Sequence, residues 1–167
     1  MIRKYMDDCY FCRVIATKPK EMFFDHENFI ALWDGYPLVP GHALITPKRH
    51  VQYIEQLTDV EASELMPLAR QVSKIVRATN LENTYVNLLD DQTNEMSRDY
   101  FQNCLNKIRG HNRPPEAFNF GINDGPLAGQ SVHHVHLHVI PRWAGDVENP
   151  KGGIRNMFSF DKYSREP

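Results

Sequence analysis

SVHHVHLHVIPR, residues 131–142, places four of the chain's eight histidines within six positions of an apolar run. Side chains of an extended segment alternate between its two faces, so Val135, Leu137 and Val139 fall on one side and His134, His136 and His138 on the other. His133 points away from those three. With a rise of about 3.3 Å per residue, the three like-facing imidazoles stand about 7 Å apart in succession. Neighbours can cooperate, whereas the outer pair is too far apart to ligate one ion together unless the strand bends. A strand of merely exposed histidines would waste positions suited to β-branched residues. Metal ligation and nucleophilic chemistry are the readings to weigh.

The preceding segment supplies a partner strand. In AFNFGIN (117–123), Phe118, Phe120 and Ile122 point one way and Asn119, Gly121 and Asn123 the other. If the two strands pair as a hairpin, the asparagines and the three histidines share one polar face of a sheet. DGPLAGQS between them reads as a loop. NFIALWD (28–34) and HALITPK (42–48) read as a further antiparallel pair joined by GYPLVPG. LTDVEASELMPLARQVSKIVRATN (57–80) opens with Thr58 and Glu61 at capping-box spacing and puts Leu65, Leu68, Val72 and Ile75 on one helical face. Pro67 should kink this helix or mark its true start. A second helix is expected over 97–109, with Phe101, Cys104, Leu105 and Ile108 on one face, Ser97 as its cap and Gly110 as its end. The stretch NTYVNLLDDQTNEM (83–96) leaves strand and loop both open. The expected class is α+β: an antiparallel sheet with a long helix packed on it.

Length and composition agree with one domain carrying an ordinary core: 167 residues, 41% hydrophobic and 24% charged. A formal net charge of -2 provides no general attraction to a nucleic acid polymer or an anionic membrane, so phosphate recognition must be local. No stretch approaches the roughly 18 apolar residues that span a bilayer, and the N-terminus lacks a signal-peptide core; a cytoplasmic setting is expected. In such a setting Cys9 and Cys12, a C-x-x-C pair, favour metal or redox chemistry over a structural disulfide. Cys104 is expected to be buried and apolar in role.

The residues before the histidines favour phosphate chemistry. NDGPLAGQS contains small residues that let backbone N–H groups approach an anion, with Asn123, Gln130 and Ser131 as neutral donors. A neutral imidazole is a competent nucleophile toward phosphorus, and a second can supply a proton or steady the developing charge. Taken alone, the loop is as readily a plain hairpin connection. H-x-H pairs also serve metal sites, which need further ligands converging from other strands.

NDGPLAGQSVHHVHLHVIPR resembles the signature of the histidine-triad (HIT) superfamily. The similarity extends to NFIALWDGYPLVPGHALITPKRH and DDCYFCRVIA, covering roughly residues 7–79 and 116–146. The resemblance implies a HIT-like fold and a homodimeric enzyme that cleaves at a nucleotide's α-phosphate in two steps. It makes His136 the nucleophile that forms a nucleotidyl-histidine intermediate, and His138 the group that contacts the phosphate and aids charge stabilisation or leaving-group protonation. Asn123, Gly129, Gln130 and Ser131 match phosphate-contacting positions. Asp34 matches the position that binds ribose hydroxyls, although on its own it reads as a turn residue. Leu32 and His42 fall where the family lines the base pocket. Cys9, Cys12, His50 and His134 match a structural zinc site found in many bacterial members, a closed tetrahedral set.

His26, His111 and His133 are given no chemistry. Arg142, Lys151 and Arg155 are candidates for the far phosphates of a polyphosphate, against a plain reading as solvated charges. The domain is expected to span 1–167, with residues 81–115 as an inserted helical segment, longer than the family's usual link, and 147–167 as a tail. That insertion is expected to cover the cleft or enlarge a dimer interface. PRWAGD resembles the branches that cleave dinucleoside polyphosphates such as diadenosine tetraphosphate. The competing activities are adenosine 5′-monophosphoramidase, a nucleotide-binding module with weak catalysis, and a metalloenzyme using the triad as ligands.

Overall fold

The computed structural model describes residues 8–109 and 113–150. Five strands form one antiparallel sheet: β1 (Met22–Asp25), β2 (Phe29–Trp33), β3 (Ala43–Pro47), β4 (Ala117–Ile122) and β5 (Leu137–Arg142), in the order β1-β2-β3-β5-β4. Four α-helices accompany it among the described residues: α1 (Tyr10–Thr17), α2 (Asp59–Ala78), α3 (Leu81–Asp91) and α4 (Glu95–Arg109). This is the α+β architecture of the expected class.

Every residue of β2 and β3 is buried, because both faces of the sheet's centre are covered. On one face Phe29, Ala31, Trp33, Ala43, Ile45, Leu137 and Val139 join Leu68, Val72 and Val76 of α2 in the main core. On the other, Ile30, Leu32 and Leu44 pack with Phe11, Val14 and Ile15 of α1. Cross-strand pairing sets which residues share a face: Leu44 opposes His138, and His138 opposes Gly121. The register therefore puts the Asn119/Gly121 side of β4 with His138, and Phe120 with Val139 on the core side, as the alternation predicts. The sequence patterns do not single out α1 or β1, which are short and irregular in hydrophobic spacing.

Thr58 caps α2 through a reciprocal box: its hydroxyl accepts from the Glu61 N–H at 3.2 Å while the Glu61 carboxylate accepts from the Thr58 N–H at 2.8 Å. Arg49 closes the same carboxylate with two hydrogen bonds. Pro67 neither ends nor starts the helix; it sits exposed inside it, where water can satisfy the carbonyl one turn earlier. Val76, rather than Ile75, completes the buried face.

The stretch left open at 83–96 is mostly helix. Asn80 accepts the Asn83 N–H and starts α3, and Leu81, Tyr85 and Leu88 then bury one helical face. The aromatic and β-branched residues Tyr85 and Val86 mask that period in the sequence. Helix α4 begins two residues earlier than expected because Asn94, not Ser97, caps it by accepting the Ser97 N–H at 3.1 Å. Ser97 is buried in the first turn. Cys104 is 1% exposed, and burial pushes its thiol up to about 11, consistent with an apolar role. Residues 81–109 thus belong to the main core through Tyr85, Leu88, Phe101 and Leu105. Gly110, His111, Lys151, Arg155 and the tail from 151 onward lie outside the described residues.

Candidate active site and metal centre

The histidine segment enters the sheet late. The ladder of β5 starts at Leu137, so His134 and His136 precede it and are held by other bonds. The Val135 N–H donates to the Val51 carbonyl at 2.8 Å, and the Thr46 hydroxyl donates to the Val135 carbonyl at 2.9 Å. The alternation nevertheless persists, and the three imidazoles diverge into different surroundings.

His134 is fully buried and turns toward α1. Its Nδ1 lies 3.5 Å from Cys9 Sγ and 3.8 Å from Cys12 Sγ, and Cys12 Sγ lies 3.4 Å from His50 Nδ1. The four donor atoms all fall within 4.8 Å of one another. Zinc at the centre of a tetrahedron, with ordinary Zn–S and Zn–N lengths, requires sulfur–nitrogen separations of about 3.6 Å. His134 Nε2–H donates to the Pro47 carbonyl at 2.9 Å, which leaves the Nδ1 lone pair facing the sulfurs. Burial lowers the His134 pKa to about 4, so the ring is neutral, the form a metal needs. The residues fit a closed Cys₂His₂ centre.

His136 is oriented by one bond. Its Nδ1–H donates to the His134 carbonyl at 2.9 Å, and the Nε2 lone pair is left for chemistry. Its ring packs on Phe11 at a centroid distance of 4.9 Å and on the edge of His138 at 4.9 Å. Burial lowers its pKa, which keeps it neutral and nucleophilic at pH 7. Phe11, lying between the two cysteines, supports both His134 and His136. Its placement inside C-x-x-C was the available sequence signal, and composition alone does not reveal it.

His138, half-buried, belongs to a third environment. His42 Nε2 lies 3.0 Å from its Nδ1, and His42 Nδ1 faces the Asp34 carboxylate at 3.2 Å and the Leu38 N–H at 3.3 Å. When His138 is neutral, Leu38 can donate to His42 Nδ1 while His42 Nε2–H donates to His138. A proton added to His138 reverses the sense, so that both Nδ1–H bonds point toward Asp34. The carboxylate thus backs a positive charge on His138 through His42. Burial opposes that charge and lowers the His138 pKa to about 4 and the His42 pKa below its ordinary value. Asp34, His42 and His138 also present donor atoms within 4.8 Å of one another, but their contacts are accounted for as hydrogen bonds between the groups.

Asp34 fulfils its turn role as well, its Oδ1 accepting the Tyr36 N–H at 2.9 Å. Leu32 is fully buried beneath α1. In the 123–131 loop, the Asn123 amide donates to the Gly129 carbonyl at 3.1 Å. Gln130 uses both ends of its side chain as a brace, accepting from the Gly125 N–H at 3.0 Å and donating to the Gln52 carbonyl at 2.8 Å. Gly129 has φ +87°, and Ser131 is exposed. Arg142 stands about 13 Å along the strand from His138 and is bound by Asp146 and Asn119, which removes it as a free phosphate ligand. His133, exposed, faces the Gln52 side-chain amide at 3.0 Å through its Nδ1, and His26 is half-buried. A cavity of about 480 Å³ between the ends of α2 and α4 and residues 143–146 contains none of the histidines.

A buried, neutral, pre-oriented imidazole beside a second imidazole backed by a carboxylate has the chemistry to attack phosphorus. The chain belongs to the histidine-triad family: the HIT domain model matches residues 16–145. It is 32% identical over 118 residues to an AP-4-A phosphorylase of Mycobacterium tuberculosis, covering 70% of this chain and 44% of that one. It is 31% identical over 132 residues to a bis(5′-adenosyl)-triphosphatase of Dictyostelium discoideum, covering 79% and 66%. The chain therefore spans less than two thirds of the length of either relative. Among solved structures, a zinc-bound histidine triad family protein of Mycobacterium smegmatis superposes with a TM-score of 0.59 at 25% identity, covering 83% of this chain and 78% of that one. No helix among the described residues is long and apolar enough to cross a membrane.

Proposed function

We propose that the protein is a nucleotide hydrolase or nucleotidyltransferase cleaving at the α-phosphate of dinucleoside polyphosphates or related nucleoside 5′-phosphoryl compounds. The observation that carries this reading is the His136 Nδ1–H bond to the His134 carbonyl, which leaves the neutral Nε2 lone pair available beside His138. In the first step the Nε2 lone pair attacks the α-phosphorus, an N–P bond forms and the bond to the leaving group breaks. His138, neutral and accepting from His42 at Nδ1, donates its Nε2–H as a hydrogen bond that steadies the developing charge, and the leaving phosphate departs as an anion. In the second step water attacks phosphorus and gives up a proton to solvent, the P–N bond breaks and His136 regains its lone pair; inorganic phosphate as the acceptor would make the second step a phosphorolysis.

Asp34 offers the ribose hydroxyls an acceptor-only carboxylate with capacity beyond the Tyr36 bond. Asn123, Gly129 and Ser131 line the phosphate, with Gln130 holding their loop. Leu32 and His42 underlie the base side, both buried, with Leu32 packed beneath α1, and His42 also couples His138 to Asp34. Zinc in the Cys9, Cys12, His50 and His134 set supplies structural cross-linking of α1 to the triad segment, and fixes the carbonyl on which His136 rests. The resemblance supports a homodimer, and the composition supports a cytoplasmic setting and one domain over 1–167.

Steady-state assays of the zinc-loaded protein across diadenosine polyphosphates and adenosine phosphoramidates test the activity. Turnover of the dinucleotides with release of a nucleoside monophosphate or diphosphate is expected. Preference for the phosphoramidate would assign the monophosphoramidase activity instead, and binding without turnover would leave a nucleotide-binding module.

A further inference from the structure

Residues 81–109 frame the loop that carries Asp34 and His42 from both ends. At its far end the Gly41 N–H donates to Tyr85 Oη of α3 at 2.9 Å. At its near end a Cβ on Gly35 would stand 3.8 Å from Ser97 Oγ of α4 and from Tyr10 Oη of α1. Between these supports, the Tyr36 and Tyr100 rings meet edge to face at 5.7 Å, with an interplanar angle of 89°. Both rings remain open to solvent, 46% and 39% exposed. The Tyr36 backbone N–H is itself bound to Asp34 Oδ1. An unbroken series of contacts therefore runs from Tyr100 through Tyr36, Asp34 and His42 to His138.

We propose that Tyr100, with Tyr36, forms the surface on which the base of the bound nucleotide stacks, so that α4 supplies a specificity-determining residue. The inference rests on the reading of Asp34 as the ribose-binding carboxylate. A ribose held there by its 2′- and 3′-hydroxyls carries its base on the adjacent C1′, beside the turn on which Tyr36 stands two residues after Asp34 and packs against Tyr100. Every nucleobase presents a π-face, and an exposed tyrosine ring offers a large apolar surface at small entropic cost. The T-shaped arrangement holds each ring against the other and leaves outward surface for a third. A purine, with the larger ring system, gains more from such a surface than a pyrimidine.

Calorimetric titration of adenosine 5′-monophosphate and of ribose 5-phosphate into the wild-type protein, Tyr100→Ala and Tyr100→Phe tests this. Tyr100→Ala is expected to weaken adenosine 5′-monophosphate by about 5- to 150-fold, the range of base–aromatic stacking, and to leave ribose 5-phosphate unchanged. Tyr100→Phe keeps the ring and should bind both as wild type does. Equal binding of the monophosphate by wild type and Tyr100→Ala overturns the inference while leaving the ribose reading intact, provided Asp34→Ala weakens both ligands. Equal weakening of both ligands in Tyr100→Ala also overturns it, as the mark of a purely structural residue. If wild type binds neither ligand, the nucleotide reading itself fails and the inference fails with it.

Discussion

His42 Nε2 and His138 Nδ1 lie 3.0 Å apart, with Asp34 on the far side of His42. Burial, together with the neighbouring His136 and His42, holds His138 down to about 4. An unfolded histidine titrates near 6.5. Between those values the unfolded chain takes up a proton that the folded site refuses, so this contribution to stability is intact above about pH 6.5 and is lost as pH falls toward 4. The slope is at most about 1.4 kcal/mol per pH unit for each such histidine. Urea unfolding at pH 7, 6 and 5 should show falling stability, with a shallower slope in His138→Gln. An unchanged slope in that variant would remove His138 as a source.

Zinc content should be about one per chain in the wild type and be lost in Cys9→Ser, together with a lower unfolding temperature, because the ion joins α1 to the triad segment. His136→Ala should keep its zinc. Loss of the metal from His136→Ala but not from Cys9→Ser would assign the triad to a catalytic ion instead.

Tyr85 is fully buried, and its hydroxyl is the acceptor for the Gly41 N–H. Tyr85→Phe leaves that N–H without its partner at a cost of about 1–3 kcal/mol in urea unfolding. The loop carrying Asp34 and His42 should loosen with it and raise KM for nucleotide substrates more than it lowers kcat.

Gly129 occupies the left-handed region, and a Cβ there would stand 3.1 Å from Asn123 Nδ2. Gly129→Ala should cost about 1 kcal/mol in backbone strain and displace the Asn123 amide. Steady-state kinetics should show a higher KM; unchanged kinetics would separate this loop from phosphate binding.

The alternation of Val135, Leu137 and Val139 against the histidines was legible because a half-buried strand repeats every second residue. Thr58 and Glu61 were legible for a similar reason, since a capping box is local. Helix α3 was not, because its period rests on Leu81, Tyr85 and Leu88 and depends on packing against α4. The convergence of Cys9, Cys12, His50 and His134 was carried by resemblance, since nothing in the spacing of four remote residues specifies that they meet. The fates of Gln130 and Arg142 were hidden for the converse reason. Polar side chains that match a ligand-contacting position are equally suited to brace a loop or pair with a nearby carboxylate, and only the fold shows which partner lies within reach.

In the proposed reaction His136 carries the nucleotidyl group between the two steps. Rapid acid-free quenching of the enzyme with a diadenosine polyphosphate, followed by intact-protein and peptide mass spectrometry, reads it directly. A mass increase of one adenylyl group is expected on the peptide containing His136, absent in His136→Asn, with that variant's kcat reduced by at least about 10³-fold and nucleotide binding kept. Turnover at wild-type rate in His136→Asn, or an adduct on another residue, would contradict it.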